Sequence, residues 1–211
     1  MFARTPTVRA WTIRTYAKRS WFGVIGSPRL FVVFGATVLY SLSFGLFEVA
    51  VTAHASSRGA PAMAGIALAL ASVGSGAGAF VYGSRHWQAP IRSQFIAALV
   101  AMAAGMLLLA PIENLVLYSI ASIATGVPMA TVIATQSLLI ARLAPRERLA
   151  ESFTWGATCL LTGVSAGIAL GGVLAERYAS AWLLVAAMLA TACAAIVALG
   201  VSREERVATS S

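Results

Sequence analysis

A single carboxylate, Glu48, lies in an apolar stretch of sequence, SFGLFEVAVTAHA, that would otherwise suit lipid. Steps of three and four residues place Ser41, Gly45 and Thr52 on the same helix face as Glu48. Exposing this charge to lipid would cost on the order of 3 kcal/mol, so the face is predicted to line a protein interior or a water-filled cavity. There Glu48 would exchange protons or bind a cation. The alternative is a protonated or hydrogen-bonded glutamate with a structural role only.

Two further segments carry polar side chains at helical spacing. One contains Tyr118, Ser122, Thr125, Met129 and Gln136, with a predicted kink at Pro128, and the other contains Thr154, Thr158, Thr162 and Ser165. Hydroxyl groups in a helix often bond to carbonyls of their own helix, so each stripe alone is weak evidence for a cavity. Together with Glu48 they favour a polar pathway, whose predicted lining is Glu48, Ser41, Thr52, Tyr118, Ser122, Thr125 and Met129.

Other chemistries find little support in the residue types. The chain has no Asp, which excludes a Ser-His-Asp triad, and it has no GxxxxGK[ST] nucleotide-binding loop. Cys159 and Cys193 have no CxxC spacing or nearby histidine, and they are expected to be small packing residues. We therefore expect no enzyme activity, no cofactor and no metal site, and any transport would draw its energy from a gradient.

The elements that position these residues are predicted to be six transmembrane helices. Of 211 residues 59% are hydrophobic and only 10% are charged, a composition that leaves too much apolar surface for a water-soluble domain. Runs of about 20 residues or more, each long enough to span the hydrocarbon core, predict an all-α membrane protein. The predicted spans are residues 30–54, 61–83, 91–110, 115–143, 152–175 and 180–201.

The distribution of basic residues predicts the orientation. With a cytoplasmic amino terminus, all of the 15 Lys and Arg except Arg58 and Arg177 fall on the cytoplasmic side. Both termini are therefore assigned to the cytoplasm and the protein to the inner membrane, and the net charge of +8 needs no nucleic-acid partner. Residues 1–29 are predicted to be a basic, aromatic interfacial segment, for which a mitochondrial presequence is the alternative, and residues 202–211 a cytoplasmic tail.

Glycines are spaced for close helix packing in two of the predicted spans. SVGSGAGAF contains Gly74, Gly76 and Gly78, and GVSAGIALGG contains Gly163, Gly167, Gly171 and Gly172. Small residues four apart let two helix backbones approach each other. The pattern occurs in many membrane proteins and predicts packing, without indicating a particular function.

Three of these segments resemble motifs of the major facilitator superfamily of transporters. GVSAGIALGG is similar to its GxxxGPxxGG antiporter pattern, with Ile168 where the proline would be. GAFVYGSRHW resembles the degenerate copy of the signature loop between a half's second and third helices, although Tyr82 and Gly83 stand where the acidic residue would be. SFGLFEVAV is similar to bacterial efflux-type members with an acid in this helix. With its basic lead-in, the chain resembles the carboxyl-terminal six of twelve helices over residues 25 to 201.

The resemblance implies alternating access of two six-helix bundles around a site near the midplane. Glu48 would respond to protons or recognise a cation, and Tyr118, Ser122, Thr125 and Met129 would line the cavity. Arg85 and Arg92 would belong to a cytoplasmic gate, or serve only as positive-inside anchors. Gly163, Gly167 and Gly171 would provide the packing that permits bundle motion.

Chain length departs from this family, because six helices form only one bundle. The chain would therefore be a fragment, would pair with a separate six-helix half, or would form a homodimer. The resulting expectation is proton-coupled efflux of a small molecule across the lipid bilayer. The rival interpretation is a non-transporting membrane scaffold or partner subunit, in which Glu48 has only a structural role.

Overall fold

The computed structural model describes residues 27–208, and the side chains of residues 27–200. Six long helices make up this part of the chain, and it contains no β-strand. They are α1 (Pro28–Ser57), α2 (Ala62–Ser84), α3 (Ile91–Leu109), α4 (Leu115–Leu143), α5 (Leu149–Ala175) and α6 (Ser180–Ala208), with one 3-10 turn at Arg146–Arg148. All six are long and apolar enough to cross a membrane, which confirms the predicted six-helix, all-α architecture.

The helix ends differ from the predicted spans where polar residues continue a helix. Helix α5 starts at Leu149, three residues before the predicted span begins at Ser152, and Glu151 lies in its first turn. The backbone of α6 remains helical to Ala208, so most of the predicted tail continues the last helix. The predicted interfacial segment lies almost entirely outside the described residues.

Local sequence explains several of the helix boundaries. Pro28 occupies the first turn of α1, where a missing backbone N–H costs nothing. The Asn114 side chain caps α4 by accepting hydrogen bonds from the backbone N–H groups of Val116 and Leu117, at 3.0 and 3.1 Å. After α1 the chain reverses at Gly59, whose φ of 71° favours glycine.

The helices pack in two equivalent sets of three. Helix α1 packs mainly on α5 and α6, whereas α4 packs mainly on α2 and α3, and α3 also packs on α6. Exchanging α1, α2 and α3 for α4, α5 and α6 therefore reproduces the same pattern of neighbours. Because each set contains three spans, the second set would cross a bilayer in the opposite direction to the first.

Glycines form the closest interfaces in both sets. A Cβ added at Gly163 would lie 2.6 Å from the Val38 carbonyl oxygen, and one at Gly171 would lie 2.9 Å from the Val49 side chain. A Cβ added at Gly74 or Gly78 of α2 would lie closer still to the carbonyl oxygens of Ile123 and Val127 of α4, respectively. The α1–α5 and α2–α4 interfaces thus use the same small-residue packing.

Buried polar contacts connect the two sets. The Tyr40 hydroxyl of α1 donates a 2.6 Å hydrogen bond to the Gln136 side chain of α4. The Ser43 and Thr191 hydroxyls lie 2.6 Å apart across α1 and α6, beside the Met106 sulfur of α3. These bonds satisfy polar groups within an otherwise apolar core and specify which helices face each other.

Candidate functional site

Glu48 lies partly buried on an open, concave face of the bundle. One hollow beside it, of about 410 Å³, lies between α1, α2 and α5, and its walls include Thr52, Leu68 and Ile168. A second hollow of about 220 Å³ lies between α1, α2 and α4, with Met129 in its wall. Glu48 borders both hollows, so its carboxyl group can be reached from the space in front of four helices.

The Glu48 carboxylate is unpaired within the part of the chain that the structure describes. No side chain between residues 27 and 200 forms a hydrogen bond or an ion pair with it. The neighbouring Thr52 hydroxyl donates instead to the Glu48 backbone carbonyl at 2.9 Å, and Ser72, in the second hollow, donates to Leu68. An intramembrane carboxylate without a protein partner is suited to exchange a proton or bind a cationic group.

Thr52 and Met129 are the two predicted pathway residues that share hollows with Glu48. Thr52 is exposed, whereas Met129 is buried and forms the part of the wall that belongs to α4. Together they place residues of α1 and α4 on the same open face. Their role in a pathway stays a prediction.

The other four predicted pathway residues lie inside the bundle. Ser41 is buried under Gly163 of α5 and donates to the Thr37 carbonyl oxygen. Ser122 donates to the Tyr118 carbonyl oxygen at 2.9 Å, and Thr125 donates to the Gly105 carbonyl oxygen at 3.2 Å. Helix backbone carbonyls satisfy these three hydroxyl groups, whereas the buried Tyr118 hydroxyl has no hydrogen-bond partner among the described residues. None of the four residues borders the hollows around Glu48.

The two predicted loop arginines have different surroundings. Arg92 donates from its side chain to the carbonyl oxygens of Ala198 and Leu199 at 3.3 and 3.0 Å, and so ties α3 to α6. Arg85 is exposed after the end of α2 and has no hydrogen-bond or ion-pair partner in residues 27–200. Both lie at the end of the bundle that also carries Arg29, Arg142, Arg146 and Arg148, which we call the arginine-rich end.

The predicted packing glycines face α1. Gly163, Gly167 and Gly171 follow one side of α5, where side chains or backbone of α1 leave no room for a Cβ. Gly76 and Gly172, which lie in the same two segments but outside the four-residue spacing, face open space.

Sequence reasoning missed a polar cluster at the end of the bundle opposite the arginine-rich end. The buried His54 ring stacks on Tyr118 with their centroids 4.1 Å apart. Its Nδ1 lies 3.2 Å from an Arg58 side-chain nitrogen and 3.2 Å from the Ser180 hydroxyl. Because a guanidinium only donates, Nδ1 is the acceptor and the proton is assigned to Nε2. His54 and Arg58, four apart near a helix end, were the available signal.

Two polar atoms in this cluster are buried without a hydrogen-bond partner, the His54 Nε2 and the Tyr118 hydroxyl. Such groups are usually satisfied by protein or by ordered water. Within the described residues, no group of three His, Cys or Glu side chains is arranged to hold a metal ion. The cluster is therefore a packed polar junction of α1, α4 and α6.

Comparisons with known proteins identify no relative for this chain. No protein-family model matches the sequence, and neither the curated proteins nor the solved structures give a significant match. The resemblance to the major facilitator superfamily therefore depends on the motifs quoted above.

Proposed function

We propose that this chain is one six-helix half of a major-facilitator-type transporter, which exports a small molecule from bacterial cells by alternating access in exchange for protons. The observation that carries the proposal is the position of Glu48. Glu48 has no hydrogen-bond or ion-pair partner among the described residues, and it lies on an open face made by α1, α2, α4 and α5.

The packing of the bundle supports this proposal. Transporters of this type build each half from three-helix repeats of inverted topology. The equivalent neighbours of α1–α3 and α4–α6 follow that plan. Helices α1 and α4 occupy matching positions in the two sets, and both contribute side chains to the hollow that contains Glu48 and Met129.

The open face requires an opposing wall for alternating access. A second six-helix bundle, from another chain or from a second copy of this one, would close the hollows from the front. Substrate and protons would then reach Glu48 from one side of the membrane at a time. A protonated Glu48 tolerates the closed, apolar state, whereas the carboxylate favours a cationic substrate in the open state.

Close glycine packing would allow the bundle to move as a rigid body. The α1–α5 and α2–α4 interfaces leave no space for an added Cβ at Gly163, Gly167, Gly74 or Gly78. Helices held this closely cannot slide independently without losing their contacts. The proposed rocking motion therefore takes place between two rigid bundles, at the surface of this bundle that carries Glu48.

Replacing Glu48 by glutamine tests the proton role. The complex would be reconstituted into liposomes with an imposed pH gradient, and movement of lipophilic cations such as tetraphenylphosphonium and ethidium would be followed. We expect E48Q to reduce pH-driven flux at least tenfold, because glutamine cannot carry the proton. E151Q is the matched control, since Glu151 is also a partly buried helix glutamate but borders neither hollow.

Unchanged flux in a folded E48Q protein would remove the proton role. An absence of gradient-driven movement in the parent protein for every cation tried would favour the scaffold interpretation. A decrease in E151Q equal to that in E48Q would show that the effect is a general loss of charge near the helices.

A further inference from the structure

A third cleft, separate from the Glu48 face, opens between α2 and α3 near the arginine-rich end. Both helices pack on α4 but not along each other, which leaves a space of about 570 Å³. Small residues line its sides, Ala77 and Gly78 from α2 and Ala97 and Ala101 from α3, and Pro128 of α4 lies at its floor. The lining is almost entirely apolar, which suits a hydrocarbon chain.

An aromatic and amide cluster lines the cleft where the helices meet the α2–α3 loop. The Trp87 ring stacks on Tyr82 with centroids 5.7 Å apart, and its Nε1 donates to the Tyr82 carbonyl oxygen at 3.0 Å. The Tyr82 hydroxyl donates to the Gln94 side chain at 2.7 Å. Tyrosine and tryptophan are enriched at the depth of lipid headgroups, so this cluster marks the boundary between the hydrocarbon and the headgroup region.

Arg85 is the available cation at this boundary. It lies two residues before Trp87 in the exposed loop, and no side chain or carbonyl in residues 27–200 pairs with it. Arg92, in contrast, is bound to carbonyl oxygens of α6. No charged side chain lines the cleft itself, so an anionic group at its mouth would meet no carboxylate there, and Arg85, which lies between Tyr82 and Trp87 in the chain, is the adjacent cation.

We propose that this cleft binds a phospholipid with an anionic headgroup from the leaflet at the arginine-rich end. One acyl chain occupies the apolar space between α2 and α3, and the headgroup pairs with Arg85. All six helices are apolar enough to lie in a bilayer, so lipid is the medium into which the cleft opens. A second copy docked here in parallel would bring its own Arg85 to the same place, and charge disfavours that occupant.

This site is independent of the proposed transport function. It shares no residue with the two hollows around Glu48 and needs no opposing bundle. A lipid held there would fill the space between two helices that do not pack on each other, and it would stabilise the α2–α3–α4 set.

Retention of defined lipids by the purified protein tests the proposal. The protein would be stripped of lipid, incubated with phosphatidylglycerol or phosphatidylcholine of equal chain length, and analysed by native mass spectrometry. We expect phosphatidylglycerol to be retained preferentially. Removing the charge in R85Q should reduce this preference roughly fivefold, equivalent to about 1 kcal/mol for one arginine near the surface. R142Q is the matched control, an exposed arginine at the same end outside the cleft.

A second test of the proposal fills the cleft with a larger side chain. A101F should abolish retention of both lipids, whereas A104F, at an exposed α3 position outside the cleft, should bind them as the parent does. Equal retention of the two lipids by the parent would overturn the proposal. So would R85Q behaving as R142Q, or A101F behaving as A104F. Size-exclusion profiles verify that each variant is folded.

Discussion

The His54 ring contributes both packing and a hydrogen-bond acceptor where α1, α4 and α6 meet. Its face stacks on Tyr118, and its Nδ1 accepts from Arg58. We expect H54A to lower the free energy of unfolding by about 3 kcal/mol, because it removes a buried ring and leaves a cavity beside Tyr118. Thermal unfolding in detergent micelles would measure the loss.

Two further variants distinguish the packing contribution of the His54 ring from that of its hydrogen bond. H54F keeps a ring on Tyr118 but no longer accepts a hydrogen bond from Arg58. Because Arg58 is exposed and can be hydrated, we expect H54F to lower the free energy of unfolding by only about 1 kcal/mol. H86A changes an exposed loop histidine and should leave stability unaltered. If H54A unfolds at the same temperature as H86A, the junction does not stabilise the bundle.

Glu48 and Ser41 illustrate how far side-chain surroundings could be predicted. Helical spacing placed them on one face of α1, and Glu48 does lie at an open surface. Seven residues earlier, α5 approaches so closely at Gly163 that it covers Ser41. Periodicity gives a direction around one helix, but the neighbour that covers each turn is set by packing between helices, which a single sequence does not reveal.

The glycines of α5 give a test at the level of a helix pair. A Cβ at Gly167 would press on the Leu42 backbone and lie 3.0 Å from the Gly45 Cα, so neither side can yield without moving a helix. We expect G167A to destabilise the protein by about 1–3 kcal/mol, as overpacking does. The measurement is the midpoint of thermal unfolding in micelles.

Gly172 provides the matched control for Gly167. Nothing lies within 4 Å of a Cβ added there, so G172A should be neutral or stabilise the helix by up to about 1 kcal/mol. If both variants behave alike, the α1–α5 interface is not limited by its glycines. The same comparison can be repeated on α2 with G74A and G76A, because the two interfaces are equivalent.

The helices themselves could be predicted almost completely from the sequence. The run 115–143 coincides with α4, because Asn114 caps its beginning and polar, arginine-containing residues follow its end. Apolar length is a strong signal in a membrane protein, since every backbone group in the hydrocarbon must be paired within its helix. The four-residue glycine spacing also agrees with the packing of α2, since Gly74 and Gly78 meet α4 whereas Gly76 between them faces open space.

The arrangement of the whole bundle follows from contacts that are distant in sequence. The link between Tyr40 and Gln136 spans 96 residues, and the one between Ser43 and Thr191 spans 148. Neither pair has a sequence pattern that identifies its partner. The equivalence of α1–α3 and α4–α6 is therefore visible mainly in the packing, and its trace in the sequence is the four-residue glycine spacing that α2 and α5 share.

The open face around Glu48 makes a prediction about the assembled protein. Leu161 is 65% exposed on α5, seven residues before Ile168 in the wall of the Glu48 hollow, so both face the same side. We expect the gently solubilised protein to be recovered with a second six-helix chain, or as a dimer near twice 21.9 kDa. Mass spectrometry that identifies every chain would measure this.

A bulky residue on the open face should break that assembly. L161W would hold an opposing bundle away and release a single chain, whereas V100W, at a 56% exposed position on α3, should leave the complex intact. Recovery of the parent as a single chain would remove the opposing wall that alternating access requires. Dissociation by V100W and not by L161W would place the partner on α3, and Glu48 would then face lipid rather than a shared cavity.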